Sequence, residues 1–179
     1  MDESPELSVL IHELGGVLSS VQGFAHIAAE NPGHPDRERF IKLAASEARR
    51  AAQTVKDVHL VRSFDRGRID PSPPSVPLSE VLGGEAGDAR VSVDPAKISD
   101  VLERCRAQAV APVAVDGAQL RVPVGTAGEL ARRTEALDAP YPDMVTWAIL
   151  RRLMRHWGGD VTLAADGEWT VVTVAFPVA

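Results

Sequence analysis

Apolar residues in the first third of the chain recur at helical spacing. From Leu7 they fall at Leu10, Ile11, Leu14, Val17, Leu18, Val21, Phe24, Ala25 and Ala28, a stepping that draws one apolar stripe along a helix. Ser4 stands where an N-cap belongs, Pro5 fits the first turn, and Glu6 puts a negative charge where the helix dipole favours one. Asn31-Pro32-Gly33 predicts the stop. A second helix is expected from Pro35-Asp36, with its stripe through Ile41, Ala44, Ala48, Ala51, Val55 and Val58 and its charges on the other faces. Asp65-Arg66-Gly67-Arg68 closes it. Two helices of roughly 26 residues would each run about 40 Å at 1.5 Å per residue. A lone pair cannot bury wide stripes on both members, whereas two hairpins paired into a four-helix bundle can. The pattern therefore predicts a homodimer; a hairpin packed on its own C-terminal domain in a monomer is the alternative.

The pattern then changes. Prolines at 71, 73, 74 and 77 block helix and interior strand, so residues 67–77 are expected to be a linker between a helical hairpin, 1–66, and a second domain, 78–179. Pro77 to Leu82 reads as a short helix and Arg90 to Val93 alternates like a strand. Helical spacing returns at Ile98, Val101, Leu102 and Cys105. Val113 to Val124 is β-branched and broken by the turn signal Asp116-Gly117. Asp143 to Trp157 is amphipathic and stopped by Gly158-Gly159. A last hairpin is expected across Asp166-Gly167. Together these elements predict an α+β chain whose C-terminal part is an α/β sandwich, with helices on one face of a mixed sheet.

Composition narrows the classes. The 179 residues are 45% hydrophobic but only 4% aromatic, so the core must be aliphatic. A net charge of −6 without a basic tract argues against nucleic-acid binding. Cys105, the one cysteine, cannot form an internal disulfide, which fits a reducing cytoplasm. No signal-peptide pattern and no long apolar run is present, so the expectation is a cytoplasmic chain, not a membrane protein, that receives its signal through a soluble partner. No pair of histidines has zinc spacing, and no metal site is expected. His26, His34, His59 and His156 read as surface or structural residues.

His12 is different. It lies just off the apolar stripe, and its neighbours at helical spacing, Ser8, Gly15, Gly16 and Ser19, are all small. That collar leaves the ring exposed and lets another domain approach closely. Two glycines in a helix interior cost roughly 2 kcal/mol against alanine, which points to close approach, with a kink as the other explanation. Glu13 follows directly and can accept a hydrogen bond from the ring, act as a base, or be a solvated helix charge. A neutral imidazole attacks phosphorus, and free imidazole is largely neutral near pH 7.

Three stretches, in order over nearly the whole chain, resemble bacterial histidine kinases. The first is His12-Glu13-Leu14 followed by Val17-Leu18-Ser19-Ser20-Val21-Gln22-Gly23-Phe24-Ala25, which is similar to the phosphoacceptor helix with Val17 in place of a common proline. The second is Val93-Asp94-Pro95 with Lys97-Ile98 and Val101-Leu102, similar to the opening of the ATPase domain. The third is Ala148 to Leu153, Gly158-Gly159-Asp160-Val161 and Phe176-Pro177, similar to its closing helix and hairpin. The resemblance implies a dimeric four-helix bundle and a phosphoacceptor at His12.

The nucleotide elements of that family are absent. Arg104 and Gln108 stand where its magnesium-holding asparagines would be. Its Asp-x-Gly-x-Gly would fall near Val124 to Gly128, which reads Val-Gly-Thr-Ala-Gly. Its second glycine box would fall near Met144 to Trp147, which reads Met-Val-Thr-Trp. Gly16 also stands where many of these kinases carry a phosphatase-supporting Thr or Asn. The resemblance thus implies a degenerate ATPase-like domain that binds no cofactor of its own. It implies a histidine phosphotransferase of a two-component phosphorelay, moving phosphate between receiver-domain aspartates through His12 with Glu13 beside it. Ser8, Gly15, Gly16 and Ser19 would form the docking collar. The expected partners are a second copy, response-regulator receivers that bring their own magnesium, and a histidine kinase. The alternative is a non-catalytic pseudo-histidine-kinase that binds and regulates a kinase or response regulator.

Overall fold

The computed structural model describes residues 4–83, 86, 89–138 and 144–179. The chain divides into two compact units, Met1–Arg68 and Ile69–Ala179.

The first unit is an antiparallel hairpin of α1 (Pro5–Glu30) and α2 (Arg37–Asp65). Ser4 occupies the N-cap position, but its hydroxyl makes no cap bond and instead points to Asp65 Oδ2 at 3.5 Å, tying the open end of the hairpin together. At the turn, Phe24 stacks on Phe40 at 6.5 Å and Arg37 Nε donates to the carbonyl of Ala28 at 3.0 Å. α2 ends in a Schellman motif: Gly67 adopts φ +63°, its N–H reaches Phe64 O at 2.9 Å, and Arg68 N–H reaches Ser63 O at 2.9 Å.

The apolar stripe of each helix is wider than the seam between them. Leu7, Leu10, Val17 and Ala28 of α1 and Ala51 and Val61 of α2 are buried. Ile11, Leu18, Ile41 and Val55 are between 39% and 47% exposed, which leaves a second apolar stripe facing outward. Buried polar groups join the seam: Thr54 Oγ1 donates to Arg50 O at 3.1 Å, and Gln53 Nε2 to Asp57 Oδ1 at 3.4 Å.

The second unit is an α/β sandwich. Strands β3 (Ala114–Asp116), β4 (Gln119–Thr126), β5 (Asp160–Asp166) and β6 (Trp169–Ala175) form a sheet in the order β3-β4-β6-β5. Every pairing in it is antiparallel, which corrects the expectation of a mixed sheet. The two turn signals read in the sequence join its hairpins, and β4 lies between them against β6. The register sets Leu120 opposite Val174 and Val122 opposite Val172, and all four are buried. Helices α4 (Pro95–Arg106) and α6 (Val145–His156) supply Ile98, Leu102, Cys105, Trp147, Leu150 and Leu153 to the same core. Asp94 caps α4 through a 3.0 Å bond from the Ala96 amide, with Pro95 at its first position. α6 closes with a second Schellman motif, in which Gly158 has φ +89° and Gly159 N–H reaches Met154 O at 2.9 Å.

Two features depart from the expected outline. The segment 67–77 is not wholly a free linker. Ile69 and Pro73 are buried, and β1 (Ser75–Pro77) pairs with β2 (Arg90–Ser92) ahead of α3 (Leu78–Leu82). β1 is an edge strand of this two-stranded sheet, where the missing N–H of Pro77 is tolerated. Beyond β4, a 3-10 turn at Ala127–Glu129 leads into α5 (Leu130–Asp138). Asp143, expected in the last helix, lies outside the described residues.

Candidate functional site

His12 and its collar occupy the outer face of α1. His12, Ser8, Gly15, Gly16 and Ser19 are all exposed. At about 100° per residue, His12 points almost directly away from the buried seam. A Cβ built on Gly15 or Gly16 would meet nothing within 4 Å, so neither glycine is required by packing inside the hairpin. α1 runs unbroken through the pair from Pro5 to Glu30. The hydroxyls of Ser19 and Ser20 turn back onto the carbonyls of Gly15 and Gly16, at 2.9 and 3.2 Å, which satisfies them within the helix.

Glu13 is placed differently from the sequence expectation. Neighbouring residues on a helix do not face each other. Its carboxylate turns to α2, where Oε1 accepts from Arg50 Nε at 3.2 Å and from Arg50 Nη2 at 2.7 Å. The structure thus brings Glu13 to Arg50 and not to the His12 ring. Arg50 escaped the sequence reading because it lies 37 residues away on the other helix.

The same projection sorts the exposed apolar residues. Ile11, Leu18 and Ala25 recur every seven residues on α1, and Ile41, Ala48 and Val55 do so on α2. In an antiparallel pair both rows fall on one side of the hairpin, and Glu13 with Arg50 on the other. The hairpin therefore carries one apolar side, one polar side and an outer face that bears His12.

In the second unit, the positions where the resemblance sought nucleotide ligands are engaged with one another. Gln108 Oε1 accepts from Trp147 Nε1 at 2.9 Å, and Arg104 Nη1 donates to Thr146 Oγ1 at 3.4 Å, so α4 is joined to the first turn of α6. Trp147 is fully buried. A Cβ on Gly125 would collide with the Glu129 carboxylate, which is itself held by Arg133 Nε at 2.8 Å. A cavity of about 640 Å³ opens between α3 and α4, lined by Leu82, Ser99, Leu102, Glu103 and Arg106 among others; none of Arg104, Gln108, Thr146 or Trp147 lines it. Among the described residues no cluster of His, Cys, Asp or Glu is placed to hold a metal, and no helix is long and apolar enough to cross a membrane.

A helical hairpin followed by an α/β sandwich is the architecture of the phosphoacceptor and ATPase-type parts of histidine kinases. In particular, the fold is similar to that of the Acinetobacter baumannii histidine kinase AdeS, with a TM-score of 0.62 at 13% identity over 93% of this chain and 98% of that one. Looser likenesses, too weak to argue from, are to a bacterial phosphotransferase (TM-score 0.45, 13% identity, 97% of this chain and 98% of that one) and to a histidine kinase from Burkholderia phymatum STM815 (TM-score 0.37, 13% identity, 95% and 98%). No family model matches the chain, and no curated protein sequence does.

Proposed function

We propose that this chain is a histidine phosphotransferase of a two-component phosphorelay. It works as a homodimer, without ATP, and carries the phosphoryl group on His12. The observation that carries this reading is the exposed His12 on an unobstructed collar of Ser8, Gly15, Gly16 and Ser19. An approaching receiver domain meets no side chain larger than serine among these four positions. Phosphoryl transfer needs positioning and charge neutralisation rather than elaborate covalent machinery. A neutral ring nitrogen forms an N–P bond as the P–O bond of a receiver's aspartyl phosphate breaks, and the carboxylate leaves with the electron pair. The reverse step loads a second receiver. Magnesium belongs to the receiver in this scheme.

Two further observations support the rest of the reading. The outward apolar rows of α1 and α2 give a second copy a face to pair with. The bonds of Gln108 to Trp147 and of Arg104 to Thr146 occupy the groups at the nucleotide positions.

The test is incubation with phosphorylated receivers. Wild type is expected to acquire acid-labile label, and His12→Ala to acquire none while keeping its thermal stability, because an exposed helix residue contributes little to packing. His26→Ala and His59→Ala are expected to keep transfer. Calorimetry is expected to show no Mg-ATP binding tighter than about 100 µM, roughly 5.5 kcal/mol. Label retained in His12→Ala refutes the site, and a wild type that accepts from no receiver leaves the regulatory pseudokinase as the reading.

A further inference from the structure

Residues 8–16 read Ser-Val-Leu-Ile-His-Glu-Leu-Gly-Gly, so Glu13 is the one acidic or basic side chain within a helical turn of His12. α1 contains no lysine or arginine anywhere along its length. A phosphoryl group on the ring adds on the order of two negative charges. It would stand beside a carboxylate on a helix that supplies no cation. The cation comes from α2. Arg50 sets Nε and Nη2 on Oε1 of Glu13, while Glu47 Oε2 lies 3.9 Å from Arg50 Nη1 and steadies the guanidinium from its own helix. Glu13 is only 14% exposed, so water screens its charge poorly and the pairing matters to whatever sits next to it.

We propose that Arg50 is a positioning residue for His12. It holds the Glu13 carboxylate on the polar side of the hairpin and cancels its charge, so that the ring can receive an anionic phosphoryl group. This rests on the reading of His12 as the phosphoacceptor. Glu13 exchanges no proton in the step. Arg50 is itself half exposed, so loss of the guanidinium is expected to lower the melting temperature only modestly and to show mainly in the chemistry.

The experiment uses the full chain and potassium phosphoramidate, a small donor that needs no protein partner. The His12 nitrogen forms its bond to phosphorus as the donor's P–N bond breaks, and ammonia departs with the ring's proton. Phosphohistidine at His12 is followed by ³¹P NMR and peptide mapping. Arg50→Gln is expected to slow labelling of His12 by about three- to tenfold. Arg50→Lys, which keeps the charge, is expected to recover most of the rate. Glu13→Gln placed in the Arg50→Gln background is expected to recover it too, since no uncompensated carboxylate remains. Unchanged labelling in Arg50→Gln overturns the proposal, as does a deficit that Glu13→Gln fails to recover. Wild type that takes phosphate from phosphoramidate but from no receiver refutes the relay and leaves the role of Arg50 standing.

Discussion

Asp160 follows the glycine pair that ends α6 and collects that helix's last positive charges. Its Oδ1 accepts from Arg155 Nε and from the Val161 amide, each at 2.8 Å, and Arg151 Nε lies 3.8 Å away. Burial pushes its carboxyl up, but the Arg155 bond, the Val161 amide and the charges of Arg155 and Arg151 together outweigh burial and hold it below its ordinary value. A carboxyl with a lowered folded pKa stabilises the fold above the unfolded value, near 3.9, and the benefit disappears as pH falls through the folded value. Because the side chain is partly exposed, the effect is expected to be under about 1 kcal/mol. Urea melts of Asp160→Asn against wild type are expected to differ at pH 7, and the difference is expected to shrink as pH falls below the unfolded carboxyl value. Glu13 shows what residue-level reading misses. Its type and spacing suggested work on His12, but the partner it has lies across the hairpin, and no local pattern encodes a contact between residues so far apart in sequence.

Among the elements, the two Schellman endings were the most legible, because only glycine enters a positive-φ turn without strain. Gly158→Ala is expected to cost about 1–2 kcal/mol, read by chemical denaturation, with no change in the strands. The glycines of α1 make the opposite case. Nothing in the hairpin needs them, so Gly16→Ala is expected to stabilise the protein by up to about 1 kcal/mol. Gly16→Leu is expected to weaken receiver docking in a surface-binding assay without loss of fold. Strand direction was not legible: alternation gives the buried face of β4 and β6 but says nothing of which way a neighbour runs. β1 was hidden by Pro77 and by the prolines that precede it. α5 was hidden by its composition, since Leu130-Ala131-Arg132-Arg133-Thr134-Glu135 offers too few apolar positions to announce a period.

For the molecule as a whole, the proposed homodimer rests on the two apolar rows on one side of the hairpin. Light scattering at micromolar concentration is expected to return twice the chain mass, and Leu18→Glu, which sets a charge in the middle of the α1 row, to return the monomer. A clean monomer for wild type refutes the bundle. The sequence showed these stripes as one band per helix. Only the packed hairpin separates the part that holds α1 to α2 from the part left over. In the proposed dimer, that leftover part ties stability to abundance. A fold completed by a second copy obeys mass action, and each tenfold dilution removes about 1.4 kcal/mol of the association free energy at 25 °C. The melting temperature is therefore expected to slide downward with dilution, and in the proposed relay lower abundance of the protein would by itself weaken the signal.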